Sequence, residues 1–265
     1  MDDRYRSVAV EAARRAGSLL RAEAGKRREI SFKGAPTNLV TEMDRRAEAG
    51  IIDAIRAEFP AHAILSEERG SVGGPSSHRW IVDPLDGTTN YAHGIPVFCV
   101  SIALEVEGQT CLGVAYDPNL DECFVAERGN GAWLNGERLS VSEMATLNES
   151  LLATGFPYSI REISRNNLAE FEAFSLRCQG VRRMGSAVLY FCYVAAGRLD
   201  GYWELRLGPW DAAAGALMVE EAGGRVTNLE GGPLDRERPA VVASNGLIHG
   251  EMLRVLKEVE LASGA

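Results

Sequence analysis

Residues 80–91, Trp-Ile-Val-Asp-Pro-Leu-Asp-Gly-Thr-Thr-Asn-Tyr, constrain this chain more than any other segment. Residues 80–82 read as a short apolar strand. Pro84 disfavours helical backbone at Asp83 and holds it extended. Asp86-Gly87 is a turn signal, and Thr88, Thr89 and Asn90 suit a helix N-terminus. The chain must therefore place a strand end bearing two carboxylates beside the start of a helix. Such a junction can hold a cation next to exposed backbone N–H donors, and both attract the charge of a phosphate ester.

The bulk properties narrow the classes that can use such a junction. A net charge of -9 argues against general nucleic-acid binding and against adhesion to anionic membranes. It leaves anionic substrates open, because bound divalent cations reverse the local field. The five cysteines (Cys99, Cys111, Cys123, Cys178, Cys192) are odd in number, widely spaced and without a CxxC pair. They predict a reduced, cytoplasmic protein in which most thiols are buried. Residues 1–25 are charged throughout, with Val8, Ala12, Ala16, Leu19 and Leu20 near helical spacing, which predicts an amphipathic surface helix rather than a signal segment. The longest apolar run, 95–106, is too short to cross a bilayer and contains Ser101 and Glu105. A soluble protein with no membrane partner is expected.

The periodicity predicts helices over 5–23 and 41–59, a loop or hairpin over 30–40, a strand over 63–66 and a mobile Gly/Ser-rich loop over 70–77. Strands follow over 98–105, 110–117 and 122–127, with GNGAWLNG (129–136) as another turn of an antiparallel sheet. From residue 150 the pattern becomes strand and helix alternation. Strands are expected at 151–154, 199–204, 225–227 and 240–243, and helices at 166–176, 187–196, 211–222 and 249–260. The expected organisation is residues 1–145, a helix pair with a large mainly antiparallel sheet, and residues 146–265, an α/β subdomain.

Three further acids fall at predicted element ends: Asp44 in a first helical turn, Glu67 after a strand, and Asp211 after Pro209-Trp210. Singly, each has an ordinary reading, since acids complement helix dipoles and Glu67-Glu68 could be a wet loop. The Asp83/Asp86 pair is harder to justify by folding alone. Oxygen-only ligands select hard cations, Mg²⁺ above all. The histidines His62, His78, His93 and His249 are scattered, and His93 is read as structural. No GxxxxGK[ST] loop or GxSxG elbow occurs.

The stretch DPLDGTTNYAHGIPVF (83–98), with PWDAAAGALMVEEAGG (209–224), closely resembles the inositol monophosphatase family, within the lithium-sensitive, Mg²⁺-dependent sugar phosphatases. The resemblance also takes in NLVTEMD (38–44), LSEERG (65–70) and GGP (231–233). It implies an α/β (α+β) fold, a layered alternating α-β-α-β-α sandwich of the inositol monophosphatase and fructose-1,6-bisphosphatase type, and a homodimer. It also implies two or three Mg²⁺ ions held by Glu67, Asp83, the Leu85 carbonyl, Asp86 and Asp211. Thr88 and Asp44 would orient an attacking water, making Glu67, Asp44 and Thr88 the catalytic set. Gly87 and Thr88 would hold the phosphate, with Lys33 on a nearby loop. Gly185, Ser186, Ala187 and Glu204 would touch the polyol, beside Asp86 and Asp211.

The reading is then a hydrolase of inositol monophosphate acting through an activated water. No covalent phospho-enzyme is needed, unlike the haloacid dehalogenase pattern, where two aspartates stand two residues apart. Fructose-1,6-bisphosphatase, histidinol-phosphatase and nucleotide 3′-phosphatase activities are the enzymatic alternatives. Arg182, Arg183 and Arg206 are candidates for a second phosphate, with surface or dimer contacts as their ordinary reading. The non-enzymatic alternative is a regulatory interaction protein on a phosphatase scaffold; the intact acids favour catalysis.

Overall fold

The structure is a computed structural model that describes residues 2–26, 30–32 and 39–263. Helix α1 (Asp3–Glu23) is capped by the Asp2 side chain and buries Ala9, Ala12, Ala13, Ala16, Gly17 and Leu20 along one stripe. The segment read as a loop or hairpin is an antiparallel pair, β1 (Ile30–Phe32) and β2 (Leu39–Thr41). Helix α2 (Glu42–Glu58) starts in a capping box between Thr41 and Asp44. Its apolar stripe (Met43, Ala47, Ile51, Ile52, Ile55) carries two buried acids, Asp44 and Glu48.

Strands β3 (Ala63–Ser66), β4 (Gly70–Val72) and β5 (His78–Asp86) open the larger sheet. Residues 70–72 are thus not loop: they pair antiparallel with β3, a short edge strand whose Gly-Ser-Val sequence carries no periodic signal. A one-turn helix, α3 (Thr88–Ala92), follows β5. Then come β6 (Cys99–Val106), β7 (Gln109–Asp117), β8 (Glu122–Glu127), β9 (Gly131–Leu134) and β10 (Glu137–Arg138). The order across this sheet is β10-β9-β8-β7-β6-β5-β3-β4, antiparallel except for the parallel β3/β5 pair.

The second half adds β11 (Leu151–Thr154), α4 (Leu168–Ser175), β12 (Gly180–Arg182), α5 (Ala187–Ala195), β13 (Gly201–Glu204), α6 (Pro209–Glu221), β14 (Arg225–Thr227), β15 (Val241–Ser244) and α7 (His249–Ser263). Strand β12 was not anticipated. It is three residues at the sheet edge, and two of them are Gly and Arg. Helix α6 starts two residues before the expected position, with Pro209 in its first turn and Asp211 three residues past the cap. The smaller sheet runs β12-β11-β13-β15-β14; β11 is parallel to both neighbours.

Side-chain alternation along the strands sorts these elements into layers. On one face of the larger sheet Trp80, Val82, Val100, Ile102 and Val114 pack against α1 and α2. On the other, Ile81, Ala103, Ala115 and Phe124 share a core with α5, α6 and Ala153, Tyr202 and Ala243 of the smaller sheet. That sheet's outer face (Leu152, Trp203, Val242) buries Phe174 of α4 and Met252 of α7. The result is the alternating α-β-α-β-α sandwich expected from the sequence. Among the described residues no helix is long and apolar enough to cross a membrane.

Helix α6 lies directly on β7. A Cβ built at Gly113 would stand 2.8 Å from the Ala214 carbonyl oxygen. Replacing Gly113 by Ala is therefore expected to destabilise by about 1–3 kcal/mol through overpacking. Gly50→Ala, where an added methyl meets nothing within 4 Å on exposed α2, is expected to stabilise slightly. Chemical denaturation of both variants checks the pair; equal effects would show that the α6–β7 approach is not tight.

Candidate active site

An ideal strand puts residues i and i+3 on opposite faces, so Asp83 and Asp86 would normally diverge. They do not, because β5 is irregular there. Asp83 pairs with Ser101 and Asp86 with Cys99, so three steps on β5 oppose two on β6. Pro84, which has no N–H to give, sits inside this irregularity. Asp83 Oδ1 accepts from the Leu85 N–H at 2.9 Å. Gly87 then reverses the chain at φ 99°, and a side chain there would strike the Val97 carbonyl oxygen at 2.8 Å.

Asp86 is held by the N-terminus of α5. It accepts from the Ser186 hydroxyl, from Ala187 N at 3.2 Å and from Val188 N at 2.8 Å. Ser186, read from the sequence as a polyol contact, is fully buried and gives its proton to Asp86. Asp211 is fixed within the first turn of α6, where its Oδ2 accepts from Gly208 N at 2.6 Å. The α6–sheet contact brings it over the end of β5. Ligand oxygens of Asp83, Asp86 and Asp211 all lie within 4.8 Å of one another.

Glu67 stands outside that trio but lines the same cavity, on the turn after β3. The turn is pinned from α2 by Glu48. Its Oε1 accepts from the Ser66 hydroxyl at 2.5 Å, Glu68 N at 3.2 Å and Arg69 N at 3.0 Å, while Oε2 pairs with Arg69 Nε at 3.1 Å. The sequence reading missed Glu48; its signal was an acid inside the apolar stripe of α2. One turn earlier, buried Asp44 takes hydrogen bonds from Thr41 N at 2.8 Å and Thr41 Oγ1 at 2.6 Å on one oxygen, leaving the other for Thr88. The single Thr88 proton has two acceptors at 3.0 Å, Asp44 Oδ1 and the Leu85 carbonyl.

The cavity holds about 1070 Å³. The trio, Glu67 and Thr88 line one part of it, and Gly185, Ser186, Ala187 and Glu204 line another. Glu204 accepts from the Tyr202 hydroxyl at 2.6 Å. His93, read as structural, is exposed at the cavity rim, and Lys33 falls outside the described residues.

Electrostatics explain what this arrangement wants. Burial, then the charges of Glu67, Asp86 and Asp211, push Asp83 well above the usual carboxylate range. Burial and the charges of Glu67 and Asp86 do the same for Asp211. Asp86 also rises through burial, opposed by its hydrogen bonds from Ser186, Val188 and Ala187. Burial raises Asp44 against its Thr41 and Thr88 bonds, and raises Glu204 to about 7. Crowded oxygen donors that resist ionisation together fit a hard divalent cation, whose charge removes the repulsion.

A model of the inositol monophosphatase family matches residues 1–261. Over 255 residues the chain is 45% identical to an inositol-1-monophosphatase of Mesorhizobium japonicum, covering 95% of this chain and 96% of that one. Over 255 residues it is 43% identical to the Nus factor SuhB of Escherichia coli, covering 95% of each. The solved inositol monophosphatase from Anabaena superposes with a TM-score of 0.87 at 43% identity, covering 97% of this chain and 96% of that one.

The raised carboxylates fix a sign. A folded-state value above the unfolded one means ionisation opposes folding, so this contribution to stability is lost as pH rises through the folded value. At pH 7.5 in EDTA, Asp211→Asn is expected to raise the melting temperature by about 2–4 °C for each kcal/mol of repulsion removed. With Mg²⁺ added, the stabilisation seen in the parent protein should shrink in the variant. Scanning calorimetry with and without Mg²⁺ checks both; a variant less stable than the parent in EDTA would contradict the repulsion.

Proposed function

The chain belongs to the inositol monophosphatase family and is a phosphatase, and from that premise we propose that it hydrolyses inositol monophosphate to inositol and phosphate in a Mg²⁺-dependent reaction. One observation carries this reading: buried Asp83 and Asp86 and half-buried Asp211 gather in a cavity also lined by a Thr88 hydroxyl backed by Asp44. Glu67, Asp83, the Leu85 carbonyl, Asp86 and Asp211 would hold two or three Mg²⁺ ions. When bound, these would neutralise the phosphate, acidify a water and offset charge on the departing oxygen.

The chain's own groups supply the rest. Were the Leu85 carbonyl to serve as a ligand, the Thr88 hydroxyl would keep Asp44 Oδ1 as its acceptor. The Thr88 oxygen would then have a free lone pair with which to orient a water and accept its proton as its own proton passes to Asp44. Asp44 is suited to the partner role because burial already favours its protonated form. The Gly87–Thr88 turn would steady the non-bridging oxygens as the water oxygen bonds to phosphorus and the ester bond breaks. Glu204 and the Gly185–Ala187 backbone would face the polyol hydroxyls.

We assign the chain to the cytoplasm as a homodimer and divide it into subdomains at residues 145/146. The relative bearing the name Nus factor SuhB favours a second, interaction role alongside catalysis, carried by a surface other than this cavity.

Thr88→Ala is expected to lower kcat by roughly 10²-fold or more with KM changed only a few-fold, since the proton shift belongs to the transition state. Stopped and continuous phosphate assays measure both; a loss confined to KM would remove Thr88 from the chemistry. A substrate panel tests the activity itself: inositol 1-phosphate, fructose 1,6-bisphosphate, histidinol phosphate and a nucleoside 3′-phosphate. Each is run with Mg²⁺, with EDTA, and with Mg²⁺ plus Li⁺. Inositol 1-phosphate should release phosphate only with Mg²⁺, and less with Li⁺; release that persists in EDTA would refute the proposal.

A further inference from the structure

We propose that the Tyr158 hydroxyl is a further catalytic group of this active site, a hydrogen-bond donor to a non-bridging oxygen of the phosphoryl group under attack. The inference rests on the phosphatase reading above and adds to it a residue outside the sequence motifs and outside the acid cluster.

Tyr158 is carried on a loop whose base is closed by hydrogen bonds. Residues 155–167 link β11 to α4, and their two ends meet. Asn167 Nδ2 donates to the Gly155 carbonyl at 2.6 Å and to Thr154 Oγ1 at 2.8 Å, while its Oδ1 accepts from Trp203 Nε1 at 2.7 Å. Asn167 does this from left-handed backbone, φ 74°, which Asn tolerates better than most side chains. Ends this close make the segment an Ω-loop. Phe156 packs on Phe171 of α4 with ring centroids 5.8 Å apart, and Arg165 pairs with Glu170 at 3.2 Å and Glu260 at 3.3 Å. Pro157 is buried, and its carbonyl accepts from Ile160 N at 2.9 Å, so Tyr158 takes the second position of a tight turn. A loop fastened in this way holds Tyr158 at one place on the cavity wall.

That place is near the acids. Tyr158 lines the cavity together with Glu67, Asp83, Asp86 and Asp211. The residue is 52% exposed, in keeping with a wall of an open cavity. Even so, the protein around its hydroxyl, then the charges of Glu67, Asp211, Asp86 and Asp83 in that order, push the phenol up. Glu204, on the side assigned to the polyol, is not among the acids that act on it most. The hydroxyl is thus directed to the phosphoryl end of a substrate, and it keeps its proton there. A neutral donor is what the position can use: an ionised phenol would add to the negative charge, whereas a protonated one offsets charge on a phosphoryl oxygen. The Gly87–Thr88 amides reach the cavity from the end of β5 in the larger sheet, and Tyr158 reaches it from the end of β11 in the smaller one. The phosphoryl group would be held from both.

Tyr158→Phe removes the hydroxyl and keeps the ring. With Mg²⁺ present it should lower kcat/KM for inositol 1-phosphate by roughly tenfold, as expected for one hydrogen bond to a charged group. The same factor should appear with 2-glycerophosphate, which has no ring, because the lost contact is to the phosphoryl oxygen. Calorimetry at the same Mg²⁺ concentration should show the Kd of inorganic phosphate rising by a similar factor, with the melting temperature and the Mg²⁺ requirement unchanged. A loss confined to inositol 1-phosphate would move Tyr158 to the polyol. A loss recovered by raising Mg²⁺ would make it a support of the metal site, and no loss would leave it a wall residue; each of these overturns the proposal. Should neither ester turn over, the phosphatase reading fails by itself. Phosphate binding then still decides the role of Tyr158: equal Kd values for parent and variant, or no binding by either, would reject it.

Discussion

Repulsion among buried carboxylates is the constraint around which this molecule is organised. Two unit charges 4 Å apart repel by about 4 kcal/mol even at an effective dielectric of 20, and Asp83, Asp86 and Asp211 form a triangle of such contacts. No local sequence preference would assemble it. The assembly relies on three separate anchors: the Leu85 N–H for Asp83, the first turn of α5 for Asp86, and the Gly208 N–H for Asp211. Each anchor includes a backbone donor, and for Asp86 and Asp211 that donor stands at a helix start, where the dipole also favours an acid. The anchors hold only because α5 and α6 are clamped between the two sheets, which explains why Gly113 and Gly215 permit such close approach of helix to strand and helix to helix.

Helix α2 extends the same logic to the opposite wall. Asp44 and Glu48 are one turn apart, about 6 Å along the axis, and both are wholly buried. One addresses the Thr88 hydroxyl and the other the turn that carries Glu67. A single rigid element thus sets the spacing between the Asp44–Thr88 hydrogen bond and the outlying acid. Glu48 shows why a buried acid in an apolar stripe need not be a defect. Three donors satisfy one of its oxygens, the Arg69 guanidinium pairs ionically with the other, and the geometry that it fixes belongs to its neighbours rather than to itself.

Much of this was legible in the sequence, for identifiable reasons. Residues 83–88 announced the strand end and turn because Pro84, Gly87 and Thr88 each restrict the backbone in a way that composition reveals. The long helices and the central strands followed from periodicity, since each buries a continuous face. The irregular pairing that turns Asp83 and Asp86 to one side was invisible, because register depends on a partner strand. Short edge strands β4 and β12 escaped because three residues carry no period. Ser186 was recognised as part of the site, but its orientation toward Asp86 depends on a contact between residues a hundred positions apart. Glu48 was hidden by the assumption that stripes are apolar.

The cavity divides its labour between two sheets. The acids come from the end of β5, the turn after β3 and the start of α6, all fixed by the larger sheet. The outer lining comes from the ends of β11, β12 and β13 in the smaller one. Side chains just beyond those strands, before Ser186 and before Gly208, can change without removing an anchor of the carboxylate triangle. The freedom is not unlimited. Glu204 reaches the cavity across the end of β11, where Gly155 leaves the space open. A Cβ at residue 155 would meet the Glu204 carboxylate at 2.3 Å. The acid held by Tyr202 and the bare backbone beside it must therefore be kept together, which makes Gly155 as much a part of this cavity wall as the side chain it accommodates.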